Sequence, residues 1–209
     1  MTWQKSLPGL GTGAVRLANR ITALSEGRLE VKPYGSGELV PAFGVFDAVA
    51  QGTAEMAHAA PYYWLNKNRA SAFFCTVPGG LTAQEQNTWL YFGGGQKLWD
   101  ELYSGFGLKS FPAGNTGSQM GGWFNREINQ VEDLKGLKMR IPGLGGEVLN
   151  RLGGSSQTIP SQELFTAMQS GVIDALEWVG PWNDMALDFI EWQDIIMDLD
   201  FMRVGQLLN

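Results

Sequence analysis

LKMRIPGLGGEVLNRLGGSSQTIP, residues 137–160, is the stretch whose reading decides the fold. Leu137 to Ile141 reads as a strand that stops at Pro142 and Gly143, because proline has no amide donor to continue a ladder. GGEVLNRLGG at 145–154 follows as a compact helix, and SSQTIP at 155–160 returns as a strand. Downstream, SQELFTAMQSG at 161–171 predicts a helix capped by Ser161 and closed by Gly171, before a buried strand that carries Val172, Ile173 and Ala175 into Glu177.

Upstream the same alternation holds. Val15, Leu17, Ala18, Ile21 and Leu24 recur at helical spacing within residues 12–28, with Thr12 as N-cap and Gly27 as the stop. RLEVKPYGS at 28–36 alternates like a strand, and residues 40–61 read as a helix to Gly52 followed by a short buried strand from Met56 to Ala60. Residues 82–107 are helical with an interruption at Gly93–Gly95, and LKSFPAG at 108–114 reads as a strand. Helices alternating with strands predict an α/β fold with mostly parallel sheets. Turn residues near Gly114 and again near Val179–Pro181 divide the chain into a first lobe over 1–113, a second over 114–178 and a return segment with a tail over 179–209.

Composition bounds the function. The chain has 209 residues, 44% of them hydrophobic and 17% charged, enough for a real core. The formal net charge is −6, with no run of lysine or arginine, so the electrostatic footprint of a nucleic-acid binder is missing and no DNA or RNA partner is expected. No apolar stretch approaches the roughly 20 residues of a membrane helix. The opening MTWQKSLPGLG lacks a basic start and an apolar run, so no signal peptide is expected within it. A single cysteine, Cys75, rules out an internal disulfide and reads as a buried, inert thiol.

Three segments concentrate polar groups among glycines and aromatics: AGNTGSQMGGWFN at 113–125, KMRIPGLGGEVL at 138–149 and GVIDALEWVGPWND at 171–184. Such settings present a few polar groups in an apolar cleft. Arg140, at a strand end, is either a surface ion-pair partner or an anchor for a small carboxylate, which its planar fork matches with two parallel hydrogen bonds. Glu177 lies in an apolar strand, where a carboxylate needs a structural ion pair or a metal. Asn115 either holds a turn or meets ligand. Tyr62, Tyr63 and Trp64 form an aromatic cluster of the kind that usually packs. His58, the only histidine, cannot build a catalytic triad or a histidine-rich metal site. GLGTG at 9–13 and GLGGEVL at 143–149 lack the strand or the acidic partner of a dinucleotide site, so no such cofactor is expected.

These segments, together with PGLGTGAVRLA at 8–18, GELVPAFGVFDAVAQGTAEMAH at 37–58, YYW at 62–64 and LYFGGGQKLWDEL at 90–102, resemble the periplasmic solute-binding subunits of tripartite ATP-independent periplasmic (TRAP) transporters. The likeness is greatest to the branch that binds 2-oxo acids or lactate with a metal ion. It implies an α/β, two-lobed clamshell of the type II-like periplasmic-binding-protein class, a periplasmic location with a leader lost upstream, and a small monocarboxylate captured by lobe closure for the TRAP membrane subunits. By that resemblance Arg140 clamps the carboxylate, with Asn115 and one tyrosine, Tyr62 in preference, contacting the ligand. Gln119, Glu177 and the Trp178 backbone carbonyl would hold sodium or calcium, an all-oxygen set that suits a hard cation and not zinc.

The likeness covers about residues 3 to 188. Reading Asp194–Gln206 from each codon's third base permits an aromatic, glycine- and proline-rich stretch similar to the family's, which implies a frameshift near residue 189 and a chain truncated at the C-terminus. Dimerisation through the terminal helix used in that branch is then not expected. Two rival readings stand beside the transporter subunit: a metal-assisted hydrolase or lyase with Glu177 as base, which lacks an accompanying nucleophile or second acid, and a non-functional fragment.

Overall fold

A computed structural model describes residues 1–187. The reading of 189–209 as an out-of-frame tail falls outside the described residues. By their internal contacts the residues form two compact units, Met1–Ala60 with Gln84–Thr116, and Pro61–Ala83 with the chain from Gly117 onward. The segment 61–83, which the sequence reading ran continuously through the first lobe, therefore groups with the second unit.

The first unit is helical. Helix α1 spans Leu10–Leu24 and α2 spans Val45–Ala50, preceded by a 3₁₀ turn over Ala42–Gly44. Thr12 lies inside the first turn of α1 and accepts the Gly9 amide at 3.1 Å, so it serves the helix start without being its N-cap. Helices α3, Ala83–Phe92, and α4, Gly95–Ser104, are separated at the expected glycines, where Gly94 takes the left-handed φ of 86° that reverses the chain cheaply only without a Cβ. Phe46 of α2 meets Tyr103 and Phe106 edge to face, with centroids 5.6 and 5.2 Å apart.

Three expected strands are absent from the described ladders, at 28–36, 56–60 and 108–114. Residues 28–36 hold a bend, irregular backbone and a turn, tied to the rest of the unit by isolated bonds such as Ser36 N–H to the Trp3 carbonyl at 3.0 Å. An alternating pattern creates a pleated face; a strand also needs a continuous partner. Met56 is 59% exposed and 58–60 are half-buried with a single backbone link among the described residues, Thr2 N–H to the His58 carbonyl at 3.1 Å, and the segment carries no β-branched residue to favour extension. In 108–114, Pro112 removes a ladder donor.

The second unit carries a four-stranded sheet in the order β1-β4-β2-β3. Strand β1 is Trp123–Phe124, β2 Lys138–Arg140, β3 Ser155–Gln157 and β4 Ala175–Leu176. β2 runs parallel to both β3 and β4, as the deciding stretch predicts, while β1 is antiparallel to β4 and makes the sheet mixed. Helix α5, Gly143–Arg151, crosses over between β2 and β3. A 3₁₀ turn over Ser161–Glu163 leads into α6, Leu164–Gln169; Ser161 makes no side-chain cap, and its hydroxyl is buried without a partner among the described residues. Helix α7 is the single turn Pro181–Asp184. Phe124, Ile128, Leu134, Leu137, Met139, Leu149 and Ala175 form one buried cluster beneath the sheet. Alternation along β2 sends Met139 into that cluster and leaves Arg140 beyond it, at the carboxyl end of a central strand.

Gly122 lets β1 approach β4. Its φ is 141°, and a Cβ there would stand 2.5 Å from the Leu176 carbonyl oxygen and 2.9 Å from Met139 Cε. Gly122→Ala is therefore expected to lower the unfolding free energy by about 3 kcal/mol, through backbone strain and overpacking together, read from denaturant midpoints.

Candidate functional site

The register of the parallel strands builds the site. Arg140 stands opposite Gln157 on one side and Leu176 on the other, and the next residue of β4's strand path, Glu177, donates its amide to the Arg140 carbonyl at 2.9 Å. Arginine and glutamate thus emerge side by side from the carboxyl ends of neighbouring parallel strands, where open α/β sheets place ligands.

The Arg140 side chain is 1% exposed, and burying an unpaired guanidinium would cost several kcal/mol. Its Nη1 donates to the Glu177 backbone carbonyl and, at 3.3 Å, to Glu177 Oε2. Nε reaches the Ile159 carbonyl at 3.3 Å, and Nη2 reaches the Tyr63 hydroxyl at 3.4 Å. The guanidinium carbon sits 4.8 Å from the Trp178 ring centroid, a cation–π contact strengthened by burial. The last three bonds are long, which leaves the Nη2 side loosely engaged.

Glu177 is only half satisfied. Oε2 faces Arg140, whereas Oε1 is buried with no hydrogen-bond partner among the described residues. Burial pushes the carboxyl up to about 7; the Arg140 charge pulls it down and Asp184 adds to the rise. Trp178 is 6% exposed and its indole N–H is likewise buried without a partner, while its carbonyl accepts from Gln119 Nε2 at 3.2 Å. An orphan acceptor and an orphan donor on consecutive residues mark a site that expects another species.

Arg140, Glu177, Trp178, Gln119 and Tyr62 all belong to the second unit; Asn115 belongs to the first and is exposed. Tyr62 packs at Gly143, where a Cβ would meet the tyrosine's Cβ at 2.9 Å, and stacks edge-on to Tyr63 with centroids 4.7 Å apart. Burial raises both phenols, Tyr62 well above the ordinary value, so they are neutral donors and acceptors. The hydroxyl that reaches Arg140 is that of Tyr63, which the sequence left inside an aromatic cluster; only its adjacency to Tyr62 pointed to it. Asp184 is a second residue the sequence reading passed over. It is 1% exposed and accepts from the Trp123 indole at 2.7 Å. Its one advance signal is the sequence GPWND, an aspartate closing the first turn after a helix-starting proline.

No group of three or more histidine, cysteine, aspartate or glutamate residues suited to a metal occurs among the described residues. The donors that fit a hard cation are oxygens instead: the Glu177 carboxylate, the Trp178 carbonyl and the Gln119 amide. As placed, Gln119 turns its NH₂ toward Trp178; rotating the amide by half a turn puts Oε1 there. Two oxygens so close repel unless a cation lies against both. The orphaned Glu177 Oε1 is what a cation would relieve, and Gln119 could add an oxygen only by that rotation.

The fold is that of the TRAP periplasmic solute-binding proteins. One from Pseudoalteromonas atlantica, solved with bound sodium and pyruvate, superimposes with a TM-score of 0.84 at 48% identity, covering 91% of this chain and 58% of that one. Another, from Colwellia psychrerythraea with bound calcium and pyruvate, gives 0.83 at 47% identity over the same shares of 91% and 58%. A monocarboxylate 2-oxoacid-binding periplasmic protein of Nostoc sp. is 50% identical over 186 residues, 89% of this chain and 51% of the relative. The chain belongs to the bacterial extracellular solute-binding proteins, family 7, whose model matches residues 2–200. It spans about half the length of that curated relative. Because the family is one of binding proteins, the hydrolase or lyase reading with Glu177 as base loses its ground.

Two outcomes test this chemistry. Because burial raises Glu177, the fold favours its protonated form; that contribution is full below the ordinary carboxyl range and is lost as pH climbs toward about 7. Arg140→Met removes the compensating charge, so its stability deficit is expected to grow from about pH 5 to about pH 8, reaching about 3 kcal/mol, and adding Glu177→Gln should abolish the growth. Cys75 is half-buried and burial pushes its thiol up to about 11. Its alkylation by iodoacetamide near pH 8 should run at least about 100-fold slower than that of a free cysteine.

Proposed function

We propose that this chain is the ligand-capturing part of a periplasmic TRAP solute-binding protein that takes a small 2-oxo monocarboxylate, pyruvate or a close analogue, together with sodium or calcium, and hands it to the TRAP membrane subunits. The observation that carries the reading is the pair of orphans beside a buried arginine: Glu177 Oε1, which wants positive charge, and Trp178 Nε1, which wants a lone pair. Positive charge relieves the first and a lone pair the second, and a carboxylate bound as its metal salt supplies both. The pyruvate bound with sodium or calcium in relatives at 48% and 47% identity supports the same pairing.

In this reading Arg140 donates its loosely engaged Nη2 to the ligand carboxylate, on the same side of the fork that reaches the Tyr63 hydroxyl. The Trp178 ring covers the guanidinium and excludes water, which strengthens each charge-assisted bond. Glu177, the Trp178 carbonyl and Gln119 would hold the cation, which supplies positive charge against the carboxylate and the 2-oxo oxygen. Tyr62 is a further ligand contact. No covalent step is required.

Calorimetric titration of pyruvate with calcium or sodium present is expected to give saturable heat that vanishes when the cation is chelated or exchanged for tetramethylammonium. Arg140→Lys keeps the charge but loses the fork and should weaken binding roughly 30-fold, about 2 kcal/mol. Binding that is indifferent to both the cation and Arg140 overturns the proposal.

A further inference from the structure

The peptide that carries the Trp178 carbonyl is gripped from behind. A trans peptide is planar, and its C=O and N–H point in opposite directions. The carbonyl of residue 178 and the amide of Val179 belong to one such plane. On one side the carbonyl meets Gln119 Nε2 at 3.2 Å; on the other the Val179 amide donates to Asp184 Oδ1 at 3.2 Å. Gly180 donates to the same oxygen at 3.0 Å, and the Val179 carbonyl accepts the Met120 amide at 2.9 Å, so the following plane is fixed as well.

Asp184 is itself anchored. Its second oxygen, Oδ2, accepts the indole N–H of Trp123 at 2.7 Å, and Trp123 stands opposite Leu176 in the β1–β4 ladder. The carboxylate is 1% exposed and accepts from two main-chain amides and an indole among the described residues, with the Arg140 charge acting on it from farther off. A buried carboxylate satisfied this way is costly for a turn that a serine or asparagine could close. Its distinctive effect is electrostatic. A charged acceptor on the N–H polarises the peptide and raises the negative charge on the carbonyl oxygen at the far end of the same plane.

We propose that Asp184 is a positioning residue that both aims the Trp178 carbonyl and raises its affinity for the cation, with Trp123 holding the carboxylate in place. The inference rests on the reading of this site as a carboxylate-and-cation pocket, and it assigns a role to two residues outside the set that touches ligand.

The test varies calcium and pyruvate separately at a temperature where every variant is folded. Asp184→Asn removes the charge and turns an amide NH₂ against the Trp123 N–H. It is expected to weaken apparent calcium affinity about 10- to 100-fold while changing pyruvate affinity at saturating calcium by less than about threefold. Trp123→Phe in the Asp184→Asn background removes the donor–donor conflict and should recover part of the calcium affinity. Trp123→Phe alone keeps the charge and should show a smaller loss in the same direction, which serves if Asp184→Asn fails to fold. A purely structural role would lower the unfolding midpoint, leave the folded protein's calcium affinity unchanged, and give no recovery in the double variant; that result overturns the inference.

Failure of the parent reading looks different. If the wild-type protein binds neither calcium nor pyruvate, the pocket reading falls, and the orientation is judged by NMR. The Val179 amide proton should lie downfield and exchange slowly, should move upfield in Asp184→Asn, and should return in part in the double variant. An unmoved Val179 resonance overturns the inference whether or not ligand binds.

Discussion

A guanidinium withdrawn almost entirely from water governs the second unit. Arg140 can occupy its position only because two parallel strands end beside it, one bringing Glu177 and the other leading to the Ile159 carbonyl, while an indole face covers it. Removing any of these partners would leave a buried charge in poor company, and in a low-dielectric setting that is far more costly than losing a surface pair. The short crossover through α5 and the close approach of Tyr62 at Gly143 follow from the same demand, since they bring the Tyr63 hydroxyl over the fork.

The pairing is incomplete, and that is its use. A structural ion pair would be expected to satisfy both carboxylate oxygens and the neighbouring indole; here one oxygen and the indole N–H stay buried and unpartnered among the described residues. In the proposed reading, a site held rigid by its backbone but left short of one positive partner and one acceptor is preorganised for a carboxylate salt. Preorganisation of this sort reduces the cost of ordering at the moment of binding. The rigidity reaches beyond the ligand contacts to Trp123 and Asp184, whose bonds fix two successive peptide planes at the exit of β4.

Much of this was legible in residues alone, and the failures have a common cause. The βαβ passage from Leu137 to Gln157 announces itself because proline, glycine and helical spacing are local signals. The Gly93–Gly95 break between α3 and α4 is equally local. Residues 28–36, 56–60 and 108–114 have alternation or apolar character but no ladder, since a strand is defined by a partner that may come from anywhere in the chain. Ser161 has the right chemistry and place for a cap, yet the turn it enters is 3₁₀ and its hydroxyl points into the interior. Tyr63 and Asp184 were not singled out because nothing in YYW or PWND says which side chain will face a buried arginine or an indole on another strand.

The sequence by itself determined the strand–helix–strand passage from Leu137 to Gln157 and the place of Arg140 at a strand end, because these follow from residue type and near neighbours. Only the tertiary structure decided that Arg140 and Glu177 would be adjacent, that one carboxylate oxygen would remain unmet, and that Asp184 would hold the peptide behind Trp178. Register and burial are properties of segments brought together from distant parts of the chain, and no local pattern encodes them.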